Sequence, residues 1–126
     1  MTFQHRIPKL YYSITETISG KRYEKGINAM QIKFPDYNIT SSKGMFKNHQ
    51  ELEERIEDVI NSTDVMVFSF PETWNEDYFF NDKFDREITQ GNRSKKVLYI
   101  IRGNQVGLLS DRNWMQIAIK SVNQRR

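Results

Sequence analysis

The chain has 126 residues, with 19 Lys and Arg against 16 Asp and Glu for a net charge of +3, and no cysteine. That length suits a single domain spanning residues 1–126, in which one core buries roughly two-thirds of the surface of the unfolded chain. Lack of cysteine excludes disulfides, thiolate nucleophiles, zinc ribbons and iron–sulfur clusters, and with only His5 and His49 a histidine-built metal site or a Ser–His–Asp triad is nearly excluded as well.

The small basic excess is ordinary for solubility and does not call for nucleic acid. The longest apolar stretches, Val65–Phe70 and Val97–Ile101, fall far short of the ~18 residues of a membrane span. The start, Met1 to Lys9, carries no long apolar run of the secretory kind. A cytoplasmic domain without membrane or nucleic-acid partners is the expectation.

In chain order, Lys9–Ile14 is short and rich in aromatic and β-branched residues, which predicts a strand. Tyr23, Ile27, Met30 and Phe34 recur at helical spacing, with Gly26 inside the pattern. Pro35-Asp36 marks a turn before a weaker strand, Tyr37–Thr40. Asn48 and Glu51 resemble a capping box at the start of a helix whose apolar stripe is Leu52, Ile56, Val59 and Ile60. Val65–Phe70 is the third strand. A long connection from Pro71 to Asn81 leads to a helix over Asp82 to Gln90 that stops at Gly91, and Val97–Ile101 is the fourth strand. A last helix begins near Ser110 or Asp111 and carries Trp114, Ile117, Ala118 and Val122.

Alternation of strand and helix predicts an α/β fold, a three-layer Rossmann/flavodoxin-like arrangement. It implies a mostly parallel sheet of four to five strands with helices on both faces. Right-handed crossovers favour the order 2-1-3-4. In such sheets ligands bind beyond the carboxyl ends of the strands, where the strand order reverses. That rule nominates Ser13–Ser19, Ser41–Lys47, Pro71–Asp85 and Arg102–Asn104.

The Pro71–Asn81 connection holds Trp74, Tyr78, Phe79 and Phe80 beside Glu72, Glu76 and Asp77. Aromatic faces with carboxylates nearby suit a base or a sugar; the same rings also suit packing of the loop or a subunit contact. Glu87 falls early in the third helix, near the carboxyl edge of the sheet, where a carboxylate could attack an anomeric carbon. Position alone favours a plainer reading, a solvated helix acid paired with Lys83.

Asp64-Val65-Met66-Val67-Phe68-Ser69-Phe70-Pro71, then Glu87, then Gly91 to Lys96 and Val97-Leu98-Tyr99-Ile100, together resemble the second half of the nucleoside 2-deoxyribosyltransferase family. Lys9-Leu10-Tyr11-Tyr12-Ser13 is similar to that family's first strand, and Tyr11 takes the place of its tyrosine. The resemblance implies cleavage or transfer at the N-glycosidic bond of a nucleoside or nucleotide. Glu87 would be the nucleophile, Tyr11 its orienting hydroxyl, and Ser13 and Ser69 neighbours of the sugar or phosphate. The family's aspartate six residues before its Glu falls here on Asn81, with Asp82 next to it, and bulky Phe84, Asp85 and Arg86 replace its small residues. No metal or organic cofactor is implied. The family completes its site with a neighbour's residues, so a homo-oligomer is expected. The same fold also serves catalytically inactive modules that sense or sequester nucleotides.

Other signals are weaker. No GxxxxGK[ST] or GxGxxG motif occurs. Ser41-Ser42-Lys43-Gly44 offers hydroxyls, N–H groups and a cation to an anion, with Ser41 as a candidate contact, although an ordinary polar loop looks the same. The acids Glu72, Glu76, Asp77 and Asp82 are weak grounds for a Mg²⁺ site.

Overall fold

The computed structural model describes residues 7–16, 18–70, 78–102 and 104–109. Along the chain these form β1 (Lys9–Ser13), α1 (Gly20–Lys33), β2 (Asn38–Ser41), α2 (His49–Asn61), β3 (Val65–Phe68), α3 (Tyr78–Arg93), β4 (Val97–Arg102) and β5 (Gln105–Leu108). The strands make one sheet in the order β2-β1-β3-β4-β5, parallel except for β5, which runs antiparallel to β4. The strand order reverses between β1 and β3, as the alternating pattern predicts.

Side chains alternate across the sheet and define its two cores. Tyr11, Met66, Phe68, Leu98 and Ile100 face α2 and α3, meeting Leu52, Ile56, Ile60, Phe84 and Ile88. Leu10, Tyr12, Ile14, Val65 and Val67 face the other way, onto Met30 of α1 and onto Phe34, which caps that helix. Helices therefore cover both faces, in the three-layer α/β arrangement. Among the described residues no helix is long and apolar enough to cross a membrane.

Local chemistry explains where the helices start. The Ser19 hydroxyl accepts from the Arg22 N–H at the head of α1, 3.2 Å away. The Asn48 side chain accepts from Glu51 N–H at 2.9 Å, the predicted half of a capping box. The other half is displaced by one residue, because Glu51 Oε2 accepts from Lys47 N–H at 2.7 Å. Asp64, just before β3, accepts from Lys9 N–H at 2.7 Å and so ties the starts of β1 and β3 together.

The third helix departs from the predicted bounds at both ends. It begins at Tyr78, so residues 78–81 belong to a helix and not to the connection. The aromatic run disguises this start, since its helix propensity is only middling. The helix also continues through Gly91 to Arg93. A Cβ at Gly91 would stand 2.8 Å from Met66 Sδ and 2.9 Å from Leu98 Cδ2. Glycine there allows α3 to lie close on β3 and β4 instead of ending the helix. The end is made by Ser94, Lys96 and Lys95, whose N–H groups bond the carbonyls of Gln90, Gly91 and Asn92 at 2.9, 2.9 and 3.1 Å.

β5 has no counterpart among the predicted elements, because Gln105-Val106-Gly107-Leu108 carries only one β-branched residue and a glycine. The predicted strands over 9–14 and 65–70 end at Ser13 and Phe68. The helix predicted from Ser110 or Asp111 lies outside the described residues.

Gly26 sits where α1 crosses β1. A Cβ there would overlap the Tyr12 hydroxyl and stand 2.9 Å from its Cζ. That hydroxyl is buried and has no hydrogen-bond partner among the described residues. Gly26→Ala is expected to lower the unfolding free energy in urea by about 1–3 kcal/mol, the usual cost of overpacking, outweighing about 1 kcal/mol of helix propensity gained. Adding Tyr12→Phe removes the obstructing oxygen and should restore part of that loss.

Candidate functional site

Parallel strands leave the carboxyl ends of β1 and β3 side by side, with Ser13 in register with Phe68. Ser69 N–H continues the ladder by donating to the Ser13 carbonyl at 2.9 Å. Because Tyr11 and Ser13 are two residues apart on β1, both side chains point to the α3 side of the sheet. On α3, Lys83 and Glu87 are one turn apart and share the face that meets them.

These four residues form one polar cluster. The Tyr11 phenol donates to Glu87 Oε2, and the Ser13 hydroxyl donates to Glu87 Oε1. The Lys83 ammonium reaches both carboxylate oxygens, Oε1 at 3.1 Å and Oε2 at 3.0 Å. It also donates to Ser13 Oγ at 2.9 Å and to the Ile14 carbonyl at 3.2 Å. Each Glu87 oxygen thus has two donors. Lys83 is 2% exposed and Glu87 0%. The solvated helix acid expected from position alone is therefore corrected: the pair with Lys83 exists, but it lies in the interior.

An unpaired charge in such a place would carry a heavy desolvation cost, which the opposite charge and the hydroxyls offset. Burial, opposed by the nearby Glu87 carboxylate, lowers the Lys83 pKa from its ordinary value. Burial and the adjacent Glu87 charge hold the Tyr11 phenol well above its ordinary value. Tyr11 is consequently a neutral donor throughout the physiological range.

Aromatic rings and a buried serine frame the cluster. Phe68 stacks on Phe70 at 5.6 Å between ring centres, and Phe84 meets Phe70 edge-on at 5.1 Å. Ser42 is buried and clasps Ile14, accepting from its N–H at 3.0 Å and donating to its carbonyl at 3.2 Å. Ser42 thereby fixes the strand end to which Lys83 binds.

The sequence-named residues divide. Glu87, Tyr11 and Ser13 come together. Ser69 is buried next to Ser13 through its backbone. Ser41 stands apart: its hydroxyl accepts from Lys43 N–H at 3.0 Å and shapes the local turn. Asp82 faces away from the cluster, accepting from Arg86 Nε at 2.8 Å and meeting His49 Nδ1 at 3.1 Å. Asn81 lies in α3, but its side chain is outside the described residues, as is Trp74 entirely. Lys83 and Ser42 are the members that sequence reasoning did not name as site residues. The spacing of Lys83 from Glu87 was a usable signal, whereas Ser42 carried none to separate it from Ser41.

Comparison with known proteins gives no match, whether to a family model, a curated protein or a solved structure.

Two stability measurements check this geometry. Lys83→Met is expected to cost about 3–5 kcal/mol in urea unfolding, since it strands a buried carboxylate, and Lys83→Met/Glu87→Leu to regain most of it. Because the folded-state pKa of Tyr11 is raised, its contribution is complete below about pH 10 and declines above that pH as the unfolded phenol ionises. The loss caused by Tyr11→Phe should thus shrink by about 1.4 kcal/mol per pH unit on the alkaline side.

Proposed function

We propose that the chain cleaves, or transfers across, the N-glycosidic bond of a nucleoside or nucleotide, with Glu87 attacking the anomeric carbon. The observation that carries this reading is the meeting of the Tyr11 hydroxyl with the Glu87 carboxylate across 76 residues of sequence. It occurs at the strand-order reversal, where open α/β sheets bind ligands. Tyr11 aims one carboxylate oxygen, and Ser13 is placed to exchange its bond to Glu87 for one to a sugar hydroxyl.

In the first step a Glu87 oxygen bonds to C1′ as the C1′–N bond breaks, and the electron pair leaves with the base, which takes up a proton. In the second, water adds to C1′, loses a proton and frees the carboxylate; a second base in place of water gives transfer. Attack requires one Glu87 oxygen to give up a donor. Ser13 is the donor able to yield, because its hydroxyl can turn from Glu87 Oε1 to the sugar while Lys83 stays on the carboxylate. A nucleotide substrate fits a cytoplasmic homo-oligomer, for which sedimentation is the direct measure.

A second reading, a catalytically silent module that binds nucleotides, is favoured by one feature. Glu87 has both oxygens fully engaged and no exposed surface. Chromatography after incubation with a panel of nucleosides and nucleotides separates the two. The enzyme reading expects free base from the wild-type protein and a loss of at least about 1,000-fold in Glu87→Gln. Unchanged turnover in that variant would remove Glu87 from the role, and saturable calorimetric binding without product would favour the silent module.

A further inference from the structure

Lys83 does more than neutralise a charge. Its single ammonium bonds both oxygens of Glu87, the hydroxyl of Ser13 and the carbonyl of Ile14. Those partners come from two elements, α3 and the carboxyl end of β1. Lys83 and Glu87 are one helical turn apart, so the helix itself holds the ammonium against the carboxylate. The remaining donors to Glu87, Tyr11 and Ser13, are neutral hydroxyls. Among the described residues the cluster therefore has one cation in contact with Glu87, and it is this one.

We propose that Lys83 is a positioning residue for the Glu87 nucleophile: its ammonium keeps that side chain a carboxylate in the dry interior and fixes its oxygens against the end of β1. The proposal rests on the glycosidic reading for its consequence in turnover, but not for its effect on Glu87 itself. Burial without a counter-charge drives a carboxyl group towards its neutral form. A neutral carboxylic acid has lost the charge that makes it a nucleophile and has gained a proton donor, which would rearrange the bonds to Tyr11 and Ser13.

The measurement is carbon-13 NMR of protein labelled at the glutamate side-chain carboxyl, with the Glu87 resonance assigned by its disappearance in Glu87→Gln. Lys83→Gln, which keeps a hydrogen-bond donor but no charge, is the main variant; Lys83→Met is its companion, and either serves if the other does not fold. The Glu87 resonance is expected to titrate at least about two pH units higher in the variant than in the wild-type protein. On a substrate that the wild-type protein turns over, kcat should fall by about 100-fold or more while KM stays within about threefold, the mark of a transition-state effect. The acid limb of the pH–rate profile should move upward with the NMR midpoint.

An unmoved NMR midpoint overturns the proposal whatever the activity. A moved midpoint with unaltered kcat also overturns it, since the pair would then be structural only. Absence of any product from the wild-type protein removes the glycosidic reading instead, and the NMR arm still decides whether Lys83 governs the charge of Glu87.

Discussion

A carboxylate and an ammonium buried together at the edge of a hydrophobic core can persist only if nearly every polar atom around them is satisfied. Lys83 and Glu87 meet that condition by drawing on the backbone end of β1, two hydroxyls from the same strand, and each other. The requirement fixes the phase of α3, because both residues must face the sheet at once. It also fixes the end of β1, where Ser42 secures Ile14 through both its N–H and its carbonyl.

Geometry along α3 makes this possible. Lys83, Glu87 and Gly91 follow one another at intervals of four and form a single stripe, flanked by Phe84 and Ile88 in the core. At the far end of the stripe, the missing side chain of Gly91 brings the helix down onto Met66 and Leu98. At the near end, that closeness lets Glu87 reach Tyr11 in the middle of the sheet's face. A larger residue at the glycine would lift the helix and lengthen the bonds on which the charge pair depends.

The fold was largely legible because hydrophobic patterning reports burial directly. Three short segments rich in β-branched and aromatic residues announced the central strands, and the stripe of Leu52, Ile56 and Ile60 announced α2. Where a residue's role depends on a distant neighbour, the pattern was mute. Gly91 reads as a helix stop until Met66 and Leu98 are seen beneath it. Likewise, β5 is stabilised by its ladder to β4 and not by its own composition. Within the candidate site, the meeting of Tyr11 and Glu87 was suggested by a resemblance, and the partnership of Lys83 by its spacing. Sequence could not show that this partnership is buried, since an i, i+4 pair looks the same on a wet face as on a dry one. The choice between Ser41 and Ser42 turned on which way the chain twists as it leaves β2, a matter of one residue.

The reversed direction of β5 governs where that strand ends. β4 ends at the same edge as Glu87, but Gln105 pairs with Arg102 and Leu108 with Tyr99, so β5 travels back along the sheet. Leu109 then bonds through its N–H to the Leu98 carbonyl at 2.8 Å, roughly 13 Å from the turn at about 3.3 Å per residue. β5 therefore ends beside the amino ends of the parallel strands. Leu109 thus stands at the opposite end of β4 from the rim at which Glu87 meets Ser13.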